Sequence, residues 1–349
     1  MNRELAQRVA NAVLYEGYML YPYRPSAIKN RQRWTFGILY PPAYGEVRGG
    51  TERCGMHSEC LLQVKADAAI RVRLRFLHLV ARQVAQNIEG RLERVPSLVV
   101  DDRLIESWDE GVERTVECEL RSLGTLQQLV EFSFPASEES ESLRDKSGSV
   151  VGNISRTQHK VTGTISVASA TIHQGVLKLM IDVTNATSMP PEALDRDSVL
   201  LCSLLSAHTI LTVDGGEFVS LLDPPEGLKE AANACKNVGN FPVLVGSQGE
   251  RDMLLCSPIV LYDYPQIAPE SAGDFFDATE IDEMLTLRVM TLTDQEKHEM
   301  RLADDQVRNL LERTEQNAHE QLMRTHGTIR GLSRAEPAHK GNSAANERA

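Results

Sequence analysis

The chain has 349 residues, a formal net charge of −12, and 42% hydrophobic and 25% charged residues. That balance is ordinary for a globular protein and speaks against broad electrostatic binding to nucleic acid or to an anionic membrane. No apolar run approaches the ~20 residues that cross a bilayer, and MNRELAQRVANAVLYEG at the start lacks the apolar stretch of a secretory signal, so the expectation is a cytoplasmic protein of about two domains.

Leu5, Val9, Val13 and Leu14 recur at helical spacing and predict a short amphipathic helix over residues 3–14. Pro22 and Pro25 then interrupt regular structure, and Pro41-Pro42 and Gly49-Gly50 mark a loop. From 69 to 79 the sequence alternates: Ile70, Val72, Leu74 and Phe76 against Arg71, Arg73 and Arg75. A period of two puts the arginines on the solvent face of a half-buried antiparallel strand, a plainer reading than a nucleic-acid stripe. Residues 112–120 and 129–134 read as further strands. Residues 136–155, rich in Ser, Glu, Gly and Asp, read as a mobile loop or linker. Strands over 160–171 and 176–184 meet near His173-Gln174-Gly175 as a hairpin, and Asn185-Ala-Thr187 reads as a strand-end turn. A helix is expected over 198–205, an extended run over 208–213, and a helix starting at Asp223-Pro224 and ending near Lys236. Short strands follow at 243–245 and 253–262. Thr279 to Asp282 and Thr293 to Glu296 resemble capping boxes, the second opening a long charged helix.

Strand runs first and mixed elements later predict an α+β class: a β-sandwich-like antiparallel core with flanking helices and a long C-terminal helix. The expected divisions are an aromatic/basic and strand-rich region over 1–135, the linker over 136–155, a mixed region over 156–325 and a disordered tail over 326–349.

All eight tyrosines fall in two segments, six between Tyr15 and Tyr44 and two around Asp263. The first segment is locally cationic; the second opens an acidic stretch running to Glu283. Tyr and Arg supply large amphipathic contact area. The candidate binding residues are therefore Tyr21, Tyr23, Arg24, Lys29, Arg31, Arg33 and Trp34, with Glu59, Asp263 and Tyr264. Asp263 reads first as a structural ion-pair partner for Arg24, Arg31 or Arg33, and second as a general base with a shifted pKa. Cys54, His57 and Cys60 stand at three-residue intervals, the donor types of a zinc or other transition-metal site lacking an evident fourth ligand. The plainer reading is a loop entering a strand with Cys60 packed inside; the scattered cysteines are expected to be packing residues rather than a disulfide framework. No phosphate loop, dinucleotide fingerprint or nucleophile elbow is present, and no motif requires a cofactor.

The segments spanning Tyr15–Pro42, Gly216–Pro225, Asn237–Gly246 and Ser257–Lys297 resemble a bacterial family of uncharacterised proteins encoded beside NiFe-hydrogenase structural and maturation genes. The run Tyr262-Asp-Tyr-Pro-Gln-Ile-Ala-Pro-Glu270 is its most specific part, and the likeness extends to about Glu312. The resemblance implies an accessory or scaffold part in hydrogenase assembly, maturation or complex formation, with a hydrogenase subunit or maturation factor as protein partner. It carries over no catalytic residue. Two alternatives stand beside it. One is an enzyme in which Asp263, Glu59 or His208 does acid–base work while Arg24 or Lys29 holds an anionic substrate. The other is a metal carrier using Cys54, His57 and Cys60.

Overall fold

The structure is a computed structural model that describes residues 3–15, 36–101, 103–121, 126–266 and 292–303, with 308, 311 and 312. Its spine is β1, Gly55–Ile88, a strand of 34 residues. Fully extended it would reach roughly 110 Å, so it bends, with ladder irregularities between Val64 and Ala69 and between Arg75 and Leu77. Nine of the remaining strands are β5 (Trp108–Leu120), β6 (Leu126–Phe134), β7 (Ser137–Arg144), β8 (Val150–Gln158), β9 (Val161–His173), β10 (Val176–Asn185), β11 (Leu205–Val219), β12 (Phe241–Leu244) and β13 (Met253–Ser257). Three short ones, β2 (Arg91–Val95), β3 (Ser97–Val100) and β4 (Arg103–Glu106), follow β1 directly.

Residues of β1 with two partners reveal how its edges are shared. Leu61 pairs with Lys178 of β10 and Val219 of β11, so those strands flank it on opposite sides. Ile70 pairs with Val213 of β11 and Leu120 of β5, and Val80 with Glu110 of β5 and Gln158 of β8. One edge of β1 therefore carries β10, β5 and β2 in succession, and the other β11 then β8. The result is a curled antiparallel half-barrel with main path β12-β13-β11-β1-β10-β9-β6.

The alternation from Ile70 to Phe76 aims one row inward. Ile70, Val72, Leu74 and Phe76 are fully buried with Ile165 and Val167 of β9, Leu179 and Ile181 of β10 and Leu211 of β11. Phe76 meets Phe132 and Phe134 of β6 at 6.0 and 5.7 Å between ring centroids. The opposite row is not a free solvent face. Helix α1, Arg3–Tyr15, packs Ala6, Val9, Ala10 and Val13 on Ile210, Val243, Met253 and Leu255. Arg73 pairs with Glu117 directly across the ladder at 2.5 Å, and buried Arg75 reaches Glu113 at 3.1 Å. Tyr15 donates to the other oxygen of Glu113 at 2.7 Å. Arg73 and Arg75 are thus neutralised by the neighbour strand.

Four expectations need correction. The described residues are mostly β and their helices are short, so the α+β class does not hold. The expected sandwich is instead a single curled antiparallel sheet running through β1. Among the described residues no long C-terminal helix is found; the helix there is Asp294–Ala303. Similarly, α2 (Pro42–Val47), α3 (Arg196–Leu200) and α4 (Lys229–Asn233) are one or two turns each. The stretch read as a linker, 136–155, forms the β7–β8 hairpin, whose turn is tied by Asp145 accepting from the N–H groups of Ser147 and Ser149. The tail after 325 lies outside the described residues, as does the capping box at Thr279.

The strand-end turn at Asn185 is present. Its buried amide donates to the Leu39 and Cys202 carbonyls at 2.8 and 3.0 Å and accepts from the Thr187 N–H at 2.9 Å. It clips the segment 36–40 to the sheet.

Candidate functional site

Asp263 sits where the sheet ends. Strand β12 is the last on its side, and Val245 N–H bonds inward to Met253. By alternation, the backbone groups of Val243 and Phe241 also face β13, while those of Leu244 and Pro242 face out. Pro242 has no N–H to offer. At Leu244 both groups are taken: its N–H donates to Asp263 Oδ1 at 2.8 Å, and its carbonyl accepts from Tyr264 N–H at 2.7 Å. Tyr264 has a left-handed φ of 56°, which turns the chain so that one residue's carboxylate and the next residue's amide straddle Leu244. Asp263 Oδ2 accepts from the Ser220 hydroxyl at 2.5 Å, and Ser220 Oγ accepts in turn from Leu222 and Asp223 N–H. Asp263 is therefore an edge plug. The arginines expected to pair with it, Arg24, Arg31 and Arg33, lie outside the described residues, as do Tyr21, Tyr23, Lys29 and Trp34.

Glu59 is a second anchor. It shares a face of β1 with His57, two residues before it, and cross-strand neighbours complete the cluster. Lys178 Nζ donates to both Glu59 oxygens at 3.1 Å, and the Lys236 N–H donates to Oε2 at 2.8 Å. Burial pushes the Glu59 carboxyl up, but the Lys236 N–H and the Lys178 ammonium outweigh it and hold the group below the ordinary carboxylate range. His57 Nδ1 lies 2.7 Å from Asp182, its partner across the ladder, and Nε2 lies 3.5 Å from Glu59. Asn237 and Asn240 bond to the backbone of Glu59 and His57, so the whole cluster fastens the loop 236–240 to β1.

The Cys-His-Cys spacing does not assemble. His57 and Cys60 are three apart on an extended strand, which sends them to opposite faces. Cys60 is buried in the main core, where desolvation pushes its thiol well up. Among the described residues no three His, Cys, Asp or Glu side chains are placed to hold a metal ion. His208 is fully buried and donates from Nδ1 to the Ser206 carbonyl at 2.8 Å; burial lowers its pKa to about 4.

Between the segment 36–40, residues 51–53 and the loop 237–241 lies a cleft of about 480 Å³. Tyr40, Arg53, Met56, Asn240, Phe241 and Pro258 line it. Val238 and Phe241 are each about half exposed at its rim. From Ile259, directly after Pro258, the chain alternates again. Ile259 and Leu261 pack towards α1, while Val260 and Tyr262 point out, Tyr262 with 86% of its surface free. The sequence gives no local sign of Lys178, Asp182, Ser220, Leu244 or Phe241 as partners, because each joins the site through strand register.

No family model matches the chain and no curated protein matches it. Solved structures that align with it include the Salmonella SPI-1 type III secretion injectisome secretin InvG in the open gate state. That alignment has 12% identity over 58% of this chain and 50% of that one, with a TM-score of 0.14. The InvG secretin domain β-barrel gives 12% identity over 48% and 49%, with a TM-score of 0.13. The chain spans about half the length of these secretin chains, and a likeness this small carries no argument.

Proposed function

We propose that this chain is a non-catalytic accessory protein of a NiFe-hydrogenase system, holding a protein partner rather than turning over a substrate. The observation that carries the reading is the exposed apolar rim of the cleft, Val238 and Phe241, with Val260 and Tyr262 also exposed in the segment that follows Pro258. Exposed aromatic and aliphatic side chains beside a polar-walled cleft suit the core of a protein interface. The polar residues weighed for acid–base work point the same way. Both oxygens of Asp263 and of Glu59 are engaged in anchoring neighbouring chain, and His208 has no path to solvent. The hydrogenase link and the cytoplasmic setting rest on the family resemblance and the sequence.

The test is capture from the native host with a tagged chain, run for the natural sequence and for Phe241→Glu and Tyr262→Glu. The expected result is recovery of hydrogenase subunits or maturation factors, reduced at least ~10-fold by either substitution, since interface aromatics commonly contribute more than 1 kcal/mol. Undiminished recovery by both variants, or repeated recovery of no hydrogenase-system protein, would contradict it.

A further inference from the structure

Strand β6 ends the sheet on the side opposite β12. Ala186 N–H bonds to the Thr162 carbonyl, so the backbone groups of Thr162, and of every second residue after it on β9, face β10. The groups of Val161, Gly163, Ile165, Val167 and Ser169 then face β6, where they meet Phe134, Phe132, Val130, Gln128 and Leu126. What remains on β6 is the alternate set. The N–H and C=O groups of Gln127, Leu129, Glu131 and Ser133 point away from the sheet with no partner among the described residues. The side chains of these four residues are exposed as well, Leu129 at 61%.

Two other edges of the sheet are guarded. Pro242, Asp263 and Tyr264 close β12, and β7 bears Glu138, Glu139 and Glu141 on eight residues. Charge and proline are the usual devices against unwanted strand pairing. Strand β6, LQQLVEFSF, has nine residues, no proline, no lysine and an unbroken register with β9. Hydrophobic and β-branched or aromatic residues make it a good strand in any pairing.

We infer that the outer edge of β6 pairs antiparallel with β6 of a second copy of this chain, about a two-fold axis at Val130. The strand's own sequence selects that occupant and register. With Val130 opposite its copy, all nine residues overlap, Gln127 faces Ser133 of the second copy, and Leu129 faces the aliphatic stem of Glu131. Sliding the partner by two residues in one direction sets Glu131 against Glu131, like charges that repel across a strand pair. Sliding it the other way shortens the overlap. The alignment that keeps every outward N–H and C=O bonded is also free of a charge clash. One strand pair is smaller than the ~1,200–2,000 Å² of stable interfaces, so the dimer is a weak one, with dissociation in the micromolar range.

Sedimentation velocity of the full chain across the micromolar range tests this, with two variants. Glu131→Pro removes an outward N–H and leaves the bonds to β9 untouched. Leu129→Glu sets a carboxylate directly against Glu131 of the second copy, a pair of like charges on each side of the axis. The expected result is a concentration-dependent dimer for the natural chain, with a dissociation constant raised at least ~10-fold in each variant and far-ultraviolet circular dichroism unchanged. Should Glu131→Pro fail to fold, Leu129→Glu alone decides. A natural chain that stays monomeric throughout overturns the inference. So does a dimer that neither variant weakens, since it would form through another face. A monomer whose variants instead lose a hydrogenase partner would move the edge to a different occupant and likewise overturn it.

Discussion

The two ends of the sheet solve the same problem in opposite ways. Strand β12 is four residues long; Pro242 has no outward N–H, and the Leu244 N–H and carbonyl are bonded to Asp263 and Tyr264. Strand β6 is nine residues long, and its outward groups have no partner among the described residues. The difference teaches how to read Asp263. A carboxylate between two tyrosines invites a catalytic interpretation, yet here it closes an edge, and the tyrosine beside it supplies the second bond.

Acid is the bluntest way to break the comparison, because it unfolds both ends together. His78 and His208 are buried, and desolvation chiefly holds each near pKa 4 against an ordinary 6.5. The unfolded chain therefore binds protons first as pH falls. Their contribution is present above about pH 6.5 and is lost as pH drops towards 4, by roughly 3 kcal/mol for each histidine at full loss. Urea denaturation at a series of pH values reads this as a falling midpoint below pH 6.5. A flat profile between pH 7 and 4.5 would contradict it.

Next in size is Asp263→Ala, which strands the Leu244 N–H and the Ser220 hydroxyl. The expected loss is about 2–4 kcal/mol of folding stability by urea denaturation. Asp263→Asn is expected to lose stability too, but to leave partner binding per folded molecule unchanged; weakened binding at equal folded fraction would return Asp263 to the binding surface. Glu131→Pro should show the reverse signature, a stability change under about 1 kcal/mol with loss of self-association. The smallest effect is that of salt. Each copy carries −12, so raising ionic strength is expected to tighten the β6 dimer modestly by screening repulsion.

What the sequence made legible was local. Alternation from Ile70 to Phe76 located the middle of β1, and Gly175, with a φ of 78°, marked the β9–β10 turn. Register was not legible. Arg73 meets Glu117 because β1 and β5 align over thirteen residues, which no local pattern announces. Strand β7 read as a linker because an edge strand bonded on one side needs little apolar alternation, and Leu143 is its one buried residue. The Cys54, His57 and Cys60 spacing converges on a helix or a loop, whereas an extended backbone divides it. Asp263 was singled out correctly as unusual, but its partners lie 19 and 43 residues away and emerge only when the sheet closes.

Amide hydrogen exchange at the two edges tests the central claim most directly. The account predicts that Leu244 is protected in the natural chain and exchanges rapidly in Asp263→Ala. It also predicts that Gln127, Leu129, Glu131 and Ser133 exchange rapidly in dilute solution and become protected as concentration rises. Rapid exchange at Leu244 in the natural chain, or β6 amides whose rates ignore concentration, would contradict it.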